Sequence, residues 1–467
     1  MSTTIELPGL RALRGIPTAL SVRMPVAAPH VRVLSAIGLG WLGMTIAWLR
    51  LPAAARDTFW AEDGRTFVEG ALTHPLAAAL VTPYDGYLHT LPRLMAAAVV
   101  ALLPAGAYAI GITLASCAVA GAVVALIFLF TANIVPSPWW RAALALVTVA
   151  APTLPREVLG NAANVHTLCL WLAMWLLVGR TDDVRLRWIG AGAALLAATT
   201  EVQTLLLLPL ALLAARSTAR RPIVLGIVAG ATVQSFAMLV DPRRFNGNAP
   251  VSVASMLDGY LMNGSTTIWV PQSALGHALE AGWPLIGIAS ILPAVAAIAF
   301  VWHRGTGIQR AAVAAVPLAG IAVWTASLIA NPQSFYDYAS LSGASLERIW
   351  LTRYGIVPQL TLISVMIIGL SLAARIPVVD GRGILRSRRP ALIRVATVLV
   401  AGVVLVAGNL TPTVSRRAYG PQWEPQTVTA SRSCAAAPDD AVRDLGETLG
   451  WTVQLTCDQL EDDPGSS

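Results

Sequence analysis

Residues 106–130 read GAYAIGITLASCAVAGAVVALIFLF, a run without a single charged side chain. It is longer than the roughly 20 residues an α-helix needs to cross bilayer hydrocarbon. A second stretch, Leu351 to Ala374, is nearly as apolar and carries Arg353 as its one charge. In hydrocarbon every backbone N–H and C=O must be satisfied within the segment, so these runs are helices. The whole chain agrees: 56% of its 467 residues are hydrophobic and 12% charged, where soluble domains carry about 25% charged residues. Mean hydropathy is +0.65. The expected class is an all-α polytopic membrane protein, with the lipid bilayer as its first partner.

A pI near 9.7 and a net charge of +7 raise the question of nucleic acid. The chain contains no Lys, and its Arg residues cluster in short gaps between apolar runs. That is the pattern that orients membrane proteins, so no nucleic-acid partner is expected. The absence of Lys, with abundant Ala, Arg and Gly, reads as a high-GC bacterial composition and points to the bacterial plasma (inner) membrane.

Arg11, Arg14, Arg23 and Arg32 precede the first apolar run, which makes residues 1–32 a cytoplasmic segment and sends the first helix, about Val33 to Leu49, outward. A cleaved signal peptide ending near Pro52-Ala53-Ala54-Ala55 is the alternative; in both cases Leu51 onward faces outside. Further Arg-rich gaps fall at 180–187, 216–221, 304–310 and 375–394. Placing all of them inside requires an odd number of crossings between Asp63 and Arg180. Four apolar candidates lie there: 88–103, 106–130, 141–155 and 162–178. The first is short and begins with His89 and Arg93, so it is assigned as an interfacial helix on the outer face. Read instead as a span, it would put 180–187 outside. The interfacial choice gives about eleven transmembrane helices across a 33–410 membrane domain, a cytoplasmic N-terminus, a first extracytoplasmic loop over 51–103, and an extracytoplasmic tail over 411–467. Cys117 and Cys169 lie in apolar runs as packing residues. Cys434 and Cys457 lie in the tail, where an oxidising compartment permits a disulfide.

The outer loops collect the chain's unusual polar residues. The first holds Glu62, Asp63, His74, Tyr84, Asp85, His89 and Arg93. A second turn holds Arg156, Glu157, Asn161, Asn164 and His166, and Arg353-Tyr354 opens a late span. Glu201 and Gln203 interrupt an apolar stretch; a carboxylate there faces a cavity or bundle interior, or lies wet in a tight turn. An isolated His166 is more often a packing residue than a ligand, and Arg353 at a helix end can simply snorkel to headgroups. Glu62 and Asp63 are adjacent and so point in different directions; one can act as general base while the other orients it.

The context Glu62-Asp63-Gly64-Arg65-Thr66-Phe67 resembles the first loop of the GT-C superfamily of polyprenyl-phosphate-dependent glycosyltransferases, in which an Asp is followed four residues later by an aromatic, here Asp63 and Phe67. The interfacial segment from Tyr87 to Leu103, the polar turn 156–166 and Arg353-Tyr354 are similar in order and sidedness. The family's second acidic position is Gly64 here, with Glu62 preceding instead. The resemblance implies a GT-C-like bundle and transfer of a sugar from a polyprenyl-phosphate-linked donor to a glycan, lipid or protein acceptor, with inversion. It implies Asp63, with Glu62, as the base, and Arg353, with Arg93 or Arg156, on the donor phosphate. His74, Tyr84, Asp85, His89, Glu157, Asn161, Asn164, His166, Glu201, Gln203 and Tyr354 complete the expected substrate site. A divalent metal, Mg or Mn, is left open. The competing classes are a transporter or lipid flippase relaying ions through Glu201 and His166, and a non-catalytic envelope-assembly scaffold. The first predicts internal repeats, which the sequence lacks.

Overall fold

The computed structural model describes residues 29–243, 247, 249–375 and 415–461. Six helical segments among them are long and apolar enough to cross a membrane: His30–Leu49, Ala105–Phe130, Thr218–Val240, Leu285–Arg304, Gly307–Ala330 and Arg353–Ala373. The chain is therefore a multi-pass helical protein of membrane type. The segments expected at 141–155 and 162–178 form helices of only 13 and 14 residues, Pro138–Ala150 and Val165–Val178. Every residue of Val165–Val178 except His166 is buried. A helix walled by protein need not match the thickness of lipid, which is why its length departs from the spanning value. The expected final span, the gap with Arg382, Arg386, Arg388 and Arg389, and residues 1–28 lie outside the described residues.

Hydrogen bonds between turns sort the helix ends into two sets. At one end the Arg180 N–H donates to Phe130 O (3.0 Å), Arg220 Nε to Gly179 O (3.0 Å) and Gln309 Nε2 to Ile134 O (2.9 Å). The Arg-rich turns at 180–187, 216–221 and 304–310 are thus neighbours. At the other end, Arg50 donates to Ala151 O (2.9 Å), Thr90 to Thr199 O (2.9 Å), the Leu88 N–H to Gln234 (2.9 Å) and Gln203 to Ser327 (2.7 Å). The first loop, the 153–166 turn, Glu201 and the start of the last described span meet there, opposite the arginines.

Close helix contacts use glycine. A Cβ on Gly226 would collide with the Ala191 carbonyl oxygen of the neighbouring helix, and one on Gly121 with the carbonyl of Gly40. Small residues are the means by which membrane helices approach closely. Gly226→Ala is expected to cost about 1–3 kcal/mol through overpacking. Gly192→Ala, with nothing within 4 Å of the new methyl, is expected to be neutral or stabilising. Thermal unfolding of the two variants in detergent compares them directly.

Where the interfacial helix is expected there is a 13-residue helix, Thr90–Leu102, which buries Pro92, Met95, Ala96 and Val99. The tail departs from the all-α expectation. Between the helices Trp423–Cys434 and Cys457–Glu461, strands Val442–Gly446 and Thr452–Thr456 pair antiparallel, with Leu445 opposite Val453. The reason is local: Thr-Val-Gln-Leu-Thr alternates, turning Val453 and Leu455 inward while Gln454 stays exposed. Cys434 and Cys457 form a disulfide. This module sits on the first loop. The Trp423 N–H donates to Asp57 O and its indole Nε1 to Ala105 O, both at 2.8 Å, and its ring stacks edge-on with Phe59 at 4.6 Å. A second apolar core joins Phe59, Trp60 and Phe67 to Trp423, Val453 and Leu455, so loop and tail occupy the same end of the bundle.

Candidate functional site

The first-loop helix widens into a π-helical turn over Asp63–Val68. Its leading N–H groups are satisfied from the tail: Gly64 and Arg65 donate to the Glu447 carboxyl at 3.2 and 2.8 Å. A Cβ at position 64 would lie 2.7 Å from Glu447 Oε1, so a larger residue there would have to displace the Glu447 carboxyl. Glu62 and Asp63 then diverge. Asp63 is fully buried and its Oδ1 accepts the Ala163 N–H at 2.8 Å. It does not line the cavity and holds in place the turn that carries Asn164 and His166. Glu62 lines the cavity, with Oε2 buried and without a hydrogen-bond partner.

Burial pushes the Asp63 carboxyl up to about 7 against the pull of Arg417, and burial, then the charge of Asp63, pushes Glu447 up to about 9. The folded protein holds both protons more tightly than the unfolded chain. That stabilisation is full below the ordinary carboxyl pKa, shrinks as pH rises, and is lost past about 7 for Asp63 and about 9 for Glu447. Melting temperature is therefore expected to fall from pH 5 to pH 9, and Glu447→Gln is expected to flatten the upper part of the profile. A melting profile in detergent that stays level across this range contradicts the assignment.

The opposite wall is built from the sequence Tyr84-Asp85-Gly86-Tyr87. Asp85 and Gly86 both have positive φ (51° and 83°), the tight-turn geometry that Asp-Gly favours, and Tyr84 and Tyr87 pair across it. The turn directs Asp85 to Arg243 (2.8 Å), which also donates to Asn331 (2.7 Å). His89 is buried against Tyr87, ring centres 4.0 Å apart, and burial lowers its pKa to about 3, so it is a neutral ring. His166 Nδ1 hydrogen-bonds Glu201, whose other oxygen accepts the Gln203 N–H at 2.7 Å. Glu201 is thus at a turn, as one reading of the sequence had it, but 3% exposed rather than wet.

These groups enclose a cavity of about 90 Å³. Of the sequence-derived residues, Glu62, Tyr84, Asp85, His89, Asn164, His166, Glu201, Gln203, Arg353 and Tyr354 line it, joined by Tyr87, Arg243 and Asn331. Arg353 stacks over Tyr354 at 5.6 Å and has no carboxylate within ion-pair distance among the described residues. The others fall elsewhere. Asn161 is buried and donates to Glu157 O (2.6 Å) while accepting the Asn164 N–H (2.8 Å), which shapes the turn. Arg156 and Glu157 line an adjoining crevice that shares Arg353; Glu157 pairs with Arg416 at 3.0 Å. His74 and Arg93 line a separate pocket behind Phe67.

The donor set does not fit a resident Mg²⁺ or Mn²⁺. Such ions are held chiefly by several free carboxylate oxygens, whereas Asp85 is paired to Arg243 and Glu201 to His166, leaving Glu62 as the one uncommitted carboxylate among the described lining residues. Among the described residues the one cluster of metal-ligand type, His277, Glu280 and Glu347, is exposed and does not line the cavity. Arg243 was missed by sequence reasoning, although an arginine in a loop assigned outside runs against the positive-inside pattern and is a usable signal. Glu447 and Arg417 had none, because their partners are remote in sequence. Comparison with protein-family models, curated proteins and solved structures gives no match to this chain, so its functional reading rests on the cavity's own chemistry.

Proposed function

We propose that this protein transfers a sugar from a polyprenyl-phosphate donor to an acceptor hydroxyl at the extracytoplasmic end of an eleven-span bundle in a bacterial plasma membrane. The observation that carries the reading is one cavity lined both by Glu62, whose Oε2 has no hydrogen-bond partner, and by Arg353, which has no ion pair among the described residues. Glu62 takes the proton of the acceptor hydroxyl, the acceptor oxygen forms a bond to the anomeric carbon, and the bond from that carbon to the phosphate oxygen breaks. The electron pair leaves on the phosphate, whose growing charge Arg353 stabilises by charge-assisted hydrogen bonds. A single displacement of this kind inverts the anomeric centre. His166, oriented by Glu201, and Asn164 supply polar contacts to the sugar or the phosphate. Asp63, out of reach of the cavity, positions rather than reacts.

The relay of a transporter would place its charges at mid-membrane; here they gather with the first loop at one end. The test is turnover: purified protein, presented with a panel of labelled polyprenyl-phosphate sugars and a membrane extract as acceptor, is expected to release polyprenyl phosphate. Release from none of the donors defeats the reading.

A further inference from the structure

Behind Phe67, which also walls the central cavity, lies a second pocket of about 30 Å³ lined by His74, Leu76, Ala79, Arg93 and Ala97. Arg93 is 8% exposed, yet no carboxylate lies within ion-pair distance of it among the described residues. Its Nη2 donates to Thr82 O at 3.0 Å, its guanidinium lies 6.0 Å from the Phe67 ring centre, and its buried Nε has no acceptor. Arginine is almost never buried this far without a partner, because removing the cation from water costs more than one carbonyl and one ring return. A guanidinium with spare donors on a pocket wall is completed by an anion, and phosphate matches its geometry.

The pocket's surroundings identify the carrier. It is framed by the helices Leu76–Val81 and Thr90–Leu102, which expose Leu76 (44%), Val81 (71%) and Leu102 (79%). Apolar faces beside a cationic pocket are the arrangement of an interfacial site, in which a headgroup is held while its chain stays in the leaflet. We infer that the Arg93 pocket binds the phosphate headgroup of a membrane amphiphile, as a site separate from the Arg353 cavity and divided from it by Phe67. The inference requires no sugar transfer and stands or falls by binding alone.

Native mass spectrometry of the full-length protein in detergent, titrated with a short-chain polyprenyl phosphate, counts the sites. Wild type is expected to bind two molecules, and Arg93→Gln and Arg353→Gln one each. The lost site in Arg93→Gln is expected to weaken about 10- to 100-fold, the range of a charge-assisted contact. Arg93→Lys, which keeps the charge, is expected to retain part of the affinity. His74→Ala, at an exposed position that leaves the core intact, is expected to weaken the same site. The parent polyprenol and inorganic phosphate are expected to compete poorly. Two molecules still bound at wild-type affinity by both Arg93→Gln and His74→Ala overturn the site, as does loss of all binding in Arg353→Gln. Equal competition by free phosphate overturns its assignment to a lipid, and equal binding of the polyprenol overturns the headgroup. If two sites are found but no donor turns over, the transfer reading fails and this one survives.

Discussion

Glu62→Gln is expected to slow the proposed sugar transfer by about 10²- to 10⁴-fold, the usual contribution of a positioned general base, with little change in melting temperature. The amide is nearly isosteric with the carboxylate, so the cavity keeps its shape while the proton acceptor is lost. Each carboxylate has one buried oxygen without a hydrogen-bond partner, and Glu62 is preferred because its side chain lines the cavity, whereas Asp63 is fully buried outside it with Oδ1 committed to the Ala163 N–H. Asp63→Asn keeps an oxygen that accepts that N–H and is uncharged, as burial favours at this position, so its transfer rate per folded protein should stay near that of the wild type. Transfer assays normalised to folded protein separate the two. A larger normalised loss in Asp63→Asn than in Glu62→Gln would return the base to Asp63.

The second large effect is expected at Arg417, 1% exposed beneath the first loop. Its guanidinium donates to Thr58 O and Thr113 Oγ1 at 3.2 Å and to Leu159 O at 3.4 Å, and its charge opposes the burial penalty on Asp63. Gly160, at φ +78°, leaves room for it, since a Cβ there would collide with Nη2. Arg417→Met has similar length but strands three acceptors and leaves Asp63 facing no cation. Leaving buried acceptors without their donor costs about 1–3 kcal/mol each. Because part of the loss runs through Asp63, the double variant Arg417→Met/Asp63→Asn should be less destabilised than the sum of the two single variants. Strict additivity in detergent unfolding would show that Arg417 acts through its carbonyl contacts alone.

Much of the frame was legible because lipid imposes its own grammar. The run at 106–130 and the Arg-rich gaps depend on composition over short windows, and the structure gathers the arginines of 180–187, 216–221 and 304–310 at the end opposite the first loop. His166, Glu201 and Arg353 were legible as polar residues out of place in apolar surroundings, and they meet in one cavity. The choice between Glu62 and Asp63 was not legible. Successive residues on a helical turn diverge by about 100°, and which one faces inward is set by where the 162–166 turn and Glu447 pack, contacts roughly one hundred and nearly four hundred residues away. The module at 423–461 was hidden for the same reason, although the alternation of Thr452 to Thr456 marks a strand once it is sought. Arg156 and Arg93 show the limit of sorting charges by loop. Both lie at the same end as the cavity, yet one belongs to the Glu157–Arg416 network and the other to the pocket behind Phe67.

The central claim is that a phosphate-linked sugar sits in the cavity between Glu62 and Arg353. It is tested most directly by cryo-electron microscopy of Glu62→Gln in lipid nanodiscs saturated with a polyprenyl-phosphate sugar. The predicted map places the phosphate within hydrogen-bonding distance of Arg353, with the anomeric carbon on the side of residue 62 and His166 against the sugar or the phosphate. Donor density found only at the Arg-rich end of the bundle, or a cavity left empty under saturating donor, would contradict it.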